Sequence, residues 1–133
     1  MEDGRILDRQ LTSSSDLDGA TLNHGVLNAR LHHTAGNWRT GAWTAFYQDP
    51  NQWIQVEFDA AKFVSGIVLQ GREEYDQWVT AYKVQYSNDN ATSWRYVEPK
   101  DPHHYNDSMI DDNMVRIFLF HLPQNIGPYH SVD

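Results

Sequence analysis

Cysteine is absent from the 133 residues, so neither a disulfide nor a thiolate metal site can form. This absence does not assign a cytosolic origin. A chain this long buries roughly two-thirds of its unfolded surface and holds a core without staples. No stretch reaches the ~20 apolar residues of a membrane span. The opening residues Met1, Glu2, Asp3 and Gly4 are acidic overall and lack the apolar core of a signal peptide. Such a start fits a segment excised from a longer protein, or a cytosolic lectin. Basic residues are scarce: 10 Lys and Arg stand against 18 Asp and Glu, a formal charge of -8. With no basic stripe, the chain lacks the means to displace counterions from nucleic acid. It also lacks the polybasic segments that draw proteins to anionic lipid, so membrane binding is not expected. Repeats, low-complexity tracts and linkers are missing too, and residues 1–133 read as one domain.

What is present is strand chemistry. Residues 53–58 alternate, with Ile54, Val56 and Phe58 on one face and Gln55 and Glu57 on the other. Residues 64–69 are apolar on both parities apart from Ser65 and Gly66, which predicts a covered strand. Residues 79–86 alternate again, placing Tyr82, Val84 and Tyr86 together. The polar run 87–93 is turn chemistry, and residues 94–97 are the return strand of a hairpin. Residues 114–120 form a further strand, with Val115, Ile117 and Leu119 on one face. The one helical candidate, residues 22–31, is broken by Gly25 and reads as a loop with one turn. Short strands separated by Gly, Pro, Asn and Asp predict an all-β sandwich or jelly roll, with ligand contacts on its loops.

The segment from Gln70 to Ser87 is the most informative. It joins two apolar stretches through a polar loop holding Arg72, Glu73, Glu74, Tyr75, Asp76 and Trp78. Leu69-Gln70-Gly71-Arg72 followed by Asp76-Gln77-Trp78-Val79-Thr80-Ala81-Tyr82-Lys83 resembles the signature of discoidin domains, the coagulation factor V/VIII C-type family. Met1-Glu2-Asp3-Gly4-Arg5-Ile6, Gln10-Leu11-Thr12-Ser13-Ser14-Ser15, Ala29-Arg30-Leu31, Gly41-Ala42-Trp43-Thr44-Ala45 and Asp49-Pro50-Asn51-Gln52-Trp53-Ile54-Gln55-Val56 are similar to other elements of that pattern, in order. The resemblance implies a discoidin-like jelly-roll β-sandwich. Its protruding loops at one end would bind carbohydrate, phospholipid head groups or protein partners. Two departures stand out. The cysteines that join the ends of many extracellular members are missing. The usual ending is also altered: Val115-Arg116-Ile117 fits its Ile-Arg-Ile element but arrives early, and residues 122–132 hold that place only in divergent form. A missing central strand would leave backbone groups unpaired, so the sequence predicts a rewired C-terminal edge or a second protomer that completes the sheet as a homodimer.

The resemblance places ligand-binding residues at Arg72, Glu73 and Glu74, and Tyr75 joins them on the chemistry of its ring. Arg72 offers a planar fork of donors, the carboxylates accept from sugar hydroxyls, and Tyr75 offers a ring for a pyranose face. Trp78 and Gln77 read instead as structural support, with Arg72 paired to Asp76 as the internal alternative. Trp38 and Arg39 lie in the polar segment 32–40, expected at the same end; an exposed Trp is a hot-spot residue, and a Trp folded over Trp43 is the alternative. Asp16, Asp18 and Asn23 in the first loop are candidate calcium ligands, without the spacing of an EF-hand; no cofactor is required. His32-His33 and His103-His104 are adjacent pairs that point oppositely on a strand, and so are not preformed for one ion. No nucleophile motif such as Gly-x-Ser-x-Gly occurs, so no enzyme is predicted. Asn90-Ala91-Thr92 and Asn106-Asp107-Ser108 are N-glycosylation sequons. The expected function is a non-catalytic module of cell adhesion, extracellular or at the cell surface as part of a longer chain, binding a glycan or glycoprotein. A protein-receptor or phospholipid binder, a structural assembly domain and the accessory domain of a hydrolase are the open alternatives.

Overall fold

A computed structural model describes residues 5–19, 23–64, 66–97 and, for the backbone, 110–120. Five strands form one antiparallel sheet: β1 (Leu11–Ser13), β2 (Gln52–Val64), β3 (Ala81–Ser87), β4 (Arg95–Tyr96) and β5 (Ile110–Phe120). Their spatial order is β1-β2-β5-β3-β4. Two short 3-10 turns, Asp8–Gln10 and Val26–Asn28, are the helical content among the described residues. The second falls within the segment expected to hold one turn.

The alternation in β2 sets which face is buried. Leu11, Val26 and Val56 form the buried cluster, and Ile6, Leu27, Trp43, Ile54 and Phe58 pack against it. Each such aliphatic side chain contributes about 1.5–3 kcal/mol when fully withdrawn from water. Register carries this face across the sheet. Leu11 pairs with Val56, Val56 with Val115, and Val115 with Tyr86; Ile54 pairs with Ile117, and Ile117 with Val84. Buried glutamines lock the strands to the loops. Gln10 Nε2 donates to the Glu57 carbonyl at 2.8 Å. Gln52 Oε1 accepts from the hydroxyls of Ser14 and Ser15 at 2.8 and 2.6 Å.

The C-terminal edge expected to be rewired falls, beyond Phe120, outside the described residues. β5 occupies the centre of the sheet and pairs with β2 on one side and β3 on the other. The expected central gap is therefore filled by residues of this chain, and Ile54, Val84 and Tyr86 are partly covered. Residues 128–133, expected to substitute for a missing edge, lie outside the described residues, as do His103-His104 and the Asn106 sequon. The strand expected over residues 64–69 is a correction. Val64 is the last residue of β2, paired with Ile110, and residues 66–70 hold only an isolated bridge at Leu69, with Val68 exposed. The ladder with β5 consumes Val64, and Gly66 supplies no side chain to continue a packed strand.

The same register fixes the two ends. Ser13 closes β1, Gln52 opens β2, Ala81 opens β3 and Phe120 closes β5, all at one end. The loops after β1, before β2 and before β3 therefore cluster there. The β3–β4 turn lies at the other end.

Candidate binding loops

One feature of the loop end is a two-residue hairpin. Gly36 N–H donates to the Arg39 carbonyl and Arg39 N–H to the Gly36 carbonyl, both at 2.9 Å. Asn37 and Trp38 sit between them with φ of 49° and 69°. Two consecutive positive φ values define a type I′ turn. Asn tolerates this conformation; a bulky Trp does not adopt it readily. Trp38 is nonetheless 94% exposed, so no burial offsets its strained backbone. Arg39 is exposed beside it. The alternative of a Trp folded over Trp43 does not occur.

The loop at residues 70–78 braces this hairpin from below. Glu73 Oε2 accepts from Ala35 N–H at 2.6 Å, and Glu74 Oε2 accepts from Gly41 N–H at 3.0 Å. The two carboxylates thus grip both ends of the segment that lifts Trp38. Gln70 Oε1 adds a bond from His32 N–H at 2.8 Å. Arg72 Nε donates to Glu74 Oε1 at 2.6 Å and Arg72 Nη1 to Gln77 Oε1 at 3.1 Å. Its internal carboxylate partner is Glu74, not Asp76. The Arg72 guanidinium lies 4.6 Å from the centre of the Tyr75 ring and covers one face of it. Tyr75 is otherwise exposed, at 62%. Gln77 and Trp78 are half-buried supports, as expected.

All six expected contact residues thus share one end of the sheet, on two loops that hydrogen-bond to each other. They differ in availability. Trp38, Arg39 and Tyr75 face solvent, while Glu73 and Glu74 each commit an oxygen to the clamp. The Arg72 side chain is only 13% exposed. The sequence alone suggests that Arg72→Ala leaves stability unchanged; its packing replaces that expectation. Arg72→Ala should cost about 1 kcal/mol, a charged hydrogen bond discounted for partial solvation, and should weaken binding by loosening Tyr75. Partial burial pushes the Glu74 carboxyl up, but the bonds from Arg72, its own backbone and Gly41 outweigh this and hold it below the ordinary carboxylate range. A group with a lowered folded pKa contributes its stability above its unfolded value and loses it as pH falls through the folded one. Acidification below the carboxylate range should therefore loosen the wild-type clamp, and acid melting curves should show a smaller pH dependence in Arg72→Ala.

The first loop is held by its own acids. Asp16 Oδ1 accepts from Trp43 Nε1 and Oδ2 from Ser13 Oγ. Asp18 accepts from His24 N–H and lies 2.9 Å from His24 Nδ1. Burial raises its pKa, but these contacts with His24 outweigh that and lower it. The Asn23 carbonyl accepts from Asn28 Nδ2 and from the Thr40 hydroxyl. Asp16 and Asp18 turn their carboxylates, and Asn23 its backbone carbonyl, toward donors of the fold. Among the described residues no group of three or more His, Asp or Glu side chains converges on one point.

Sequence reasoning passed over Phe46 and Tyr47. Their rings meet edge-on at 4.9 Å and both are exposed. Phe46 N–H donates to Ser15 Oγ and Leu17 N–H to the Thr44 carbonyl, so the pair and the exposed Leu17 sit on backbone segments that are hydrogen-bonded to each other. Consecutive aromatics just before the turn residues Gln48, Asp49 and Pro50 were the available signal.

A β-sheet scaffold with braced loops and solvent-facing aromatics at one end defines a ligand-binding module of the jelly-roll β-sandwich class. The F5/8 type C domain pattern matches residues 10–125. Discoidin, CUB and LCCL domain-containing protein 2 of Rattus norvegicus is 37% identical over 102 residues, covering 74% of this chain and 13% of that protein. Retinoschisin of Mus musculus is 47% identical over 55 residues, 41% of this chain and 25% of that protein. The structure of wild-type discoidin II from Dictyostelium discoideum superposes with a TM-score of 0.71 at 27% identity, covering 87% of this chain and 50% of that one. The chain belongs to the F5/8 type C, or discoidin, domain family. It spans half or less of each of these relatives.

Proposed function

We propose that this protein is a non-catalytic adhesion module of the extracellular space or cell surface that binds carbohydrate, on free glycans or glycoproteins, through its loop end. The observation that carries the reading is Trp38, held almost fully exposed on a strained turn. Backbone strain of this kind persists where the surrounding structure over-determines it, and it clusters at ligand clamps. A Trp and a Tyr with one free ring face suit the apolar face of a pyranose. Arg39 supplies donors for its hydroxyls. Kinship with discoidin domains supports a binding and adhesive role.

A second reading rests on Leu17, Phe46 and Tyr47, an exposed apolar group that suits a membrane surface. The formal charge of -8 disfavours anionic lipid. A glycan array and co-sedimentation with phosphatidylserine vesicles separate the two. Selective array binding with little sedimentation at physiological salt is expected. Tight, salt-sensitive sedimentation with a blank array would establish the membrane reading instead.

A further inference from the structure

The far end of the sheet carries a feature that ligand binding does not use. β3 and β4 are joined by residues 88–94, and Asp89 organises this turn. Its carboxylate accepts from Ser87 Oγ, Ser93 N–H and Ser93 Oγ, and its carbonyl accepts from Thr92 N–H. Ala91 N–H donates to Ser87 Oγ at 3.2 Å. Asn90 and Ala91 both adopt positive φ, 58° and 64°. Asp89 is thus fully engaged and its neighbour is not. Asn90 and Thr92 are exposed, and neither side chain hydrogen-bonds among the described residues.

We infer that Asn90 is an N-glycosylation site, within the sequon Asn90-Ala91-Thr92. The sequence rule requires Asn-x-Ser/Thr with no Pro between, on a surface loop of a protein that enters the secretory lumen. The structure adds three conditions that a chance tripeptide need not meet. The acceptor amide is free, the turn is fixed by a neighbouring residue rather than by the Asn itself, and a conjugated glycan has open solvent before it. The reaction is a group transfer from a polyprenyl-diphosphate-linked oligosaccharide. The Asn90 amide nitrogen bonds to the anomeric carbon of the first sugar and loses a proton. The anomeric carbon–oxygen bond breaks, and the lipid diphosphate leaves.

Placement gives the glycan a role. β3 has seven residues, so the turn stands roughly 20 Å beyond the strand's loop end. The glycan would leave Trp38 and Tyr75 clear. It would lie beside β4, a two-residue edge strand of the sheet. Bulk at that position blocks the strand addition that open edges invite.

The inference rests on the extracellular part of the proposed function, but not on its ligand. The test is translation of the full 133-residue chain, fused to a cleavable leader, with eukaryotic microsomes. Asn106→Gln serves as the background, which removes the other sequon. One glycosidase-removable mass increment is expected, and it should vanish in Asn90→Gln and equally in Thr92→Ala. An imported, protease-protected chain without the increment would overturn the assignment. Enzymatic removal of the glycan from the secreted protein should leave array binding within twofold. A larger change in array binding would show that the glycan reaches the ligand loops and would overturn its placement.

Discussion

Gly41→Ala should destabilise the protein by about 2 kcal/mol, the usual scale of overpacking a close contact. At this chain length that is a fall in Tm of roughly 5–10 °C. A Cβ at Gly41 would lie 2.7 Å from Glu74 Oε2, 2.9 Å from Glu73 Cβ and 3.3 Å from the Glu73 backbone nitrogen. Glu74 can swing away, but the Glu73 contacts belong to the loop backbone or its first side-chain atom, so the two loops must separate. Separation also stretches the Glu73–Ala35 and Glu74–Gly41 bonds that hold the Trp38 hairpin. Affinity should therefore fall along with Tm. Thermal melting and array titration of Gly41→Ala check this together. Gly36→Ala is the control: nothing lies within 4 Å of a Cβ there, so any loss would reflect only its φ of 154°.

The fold was legible where local chemistry decides it. The alternation of Ile54, Val56 and Phe58 and of Tyr82, Val84 and Tyr86 marked β2 and β3, and Asn and Asp marked the turn between β3 and β4. The strand expected at residues 64–69 failed because periodicity does not say which partner a strand finds. Pairing with β5 drew β2 on to Val64 and left the apolar residues after Gly66 without a ladder. The central place of β5 was equally invisible, since register depends on contacts far apart in sequence. Among site residues, the shared location of Trp38, Arg39, Arg72 and Tyr75 followed from the loop pattern. The use of Glu73 and Glu74 as braces did not, because a carboxylate that grips a backbone N–H and one that awaits a ligand look alike in sequence. Phe46 and Tyr47 were hidden among the many aromatics of a β-rich chain.

Trp38→Gly should separate binding from stability more sharply than any other change. The Trp side chain is 94% exposed, so its removal forfeits almost no buried area. Glycine adopts the positive φ at no steric cost, and the relief of roughly 1–2 kcal/mol is partly offset by about 0.4–1 kcal/mol of added unfolded-state entropy. Folded stability should therefore be unchanged or rise by up to about 1.6 kcal/mol, a few degrees in Tm. Binding should fall at least about tenfold, as for a central aromatic hot spot, where loss of more than 1 kcal/mol is usual. The most direct test is thus a paired measurement on Trp38→Gly: thermal melting, and titration with the glycan that the wild-type protein selects on the array. A Tm equal to or above wild type with at least a tenfold loss of affinity is the result this account predicts. A lowered Tm with affinity intact would contradict it, and would make Trp38 a structural residue rather than the contact point of the loop end.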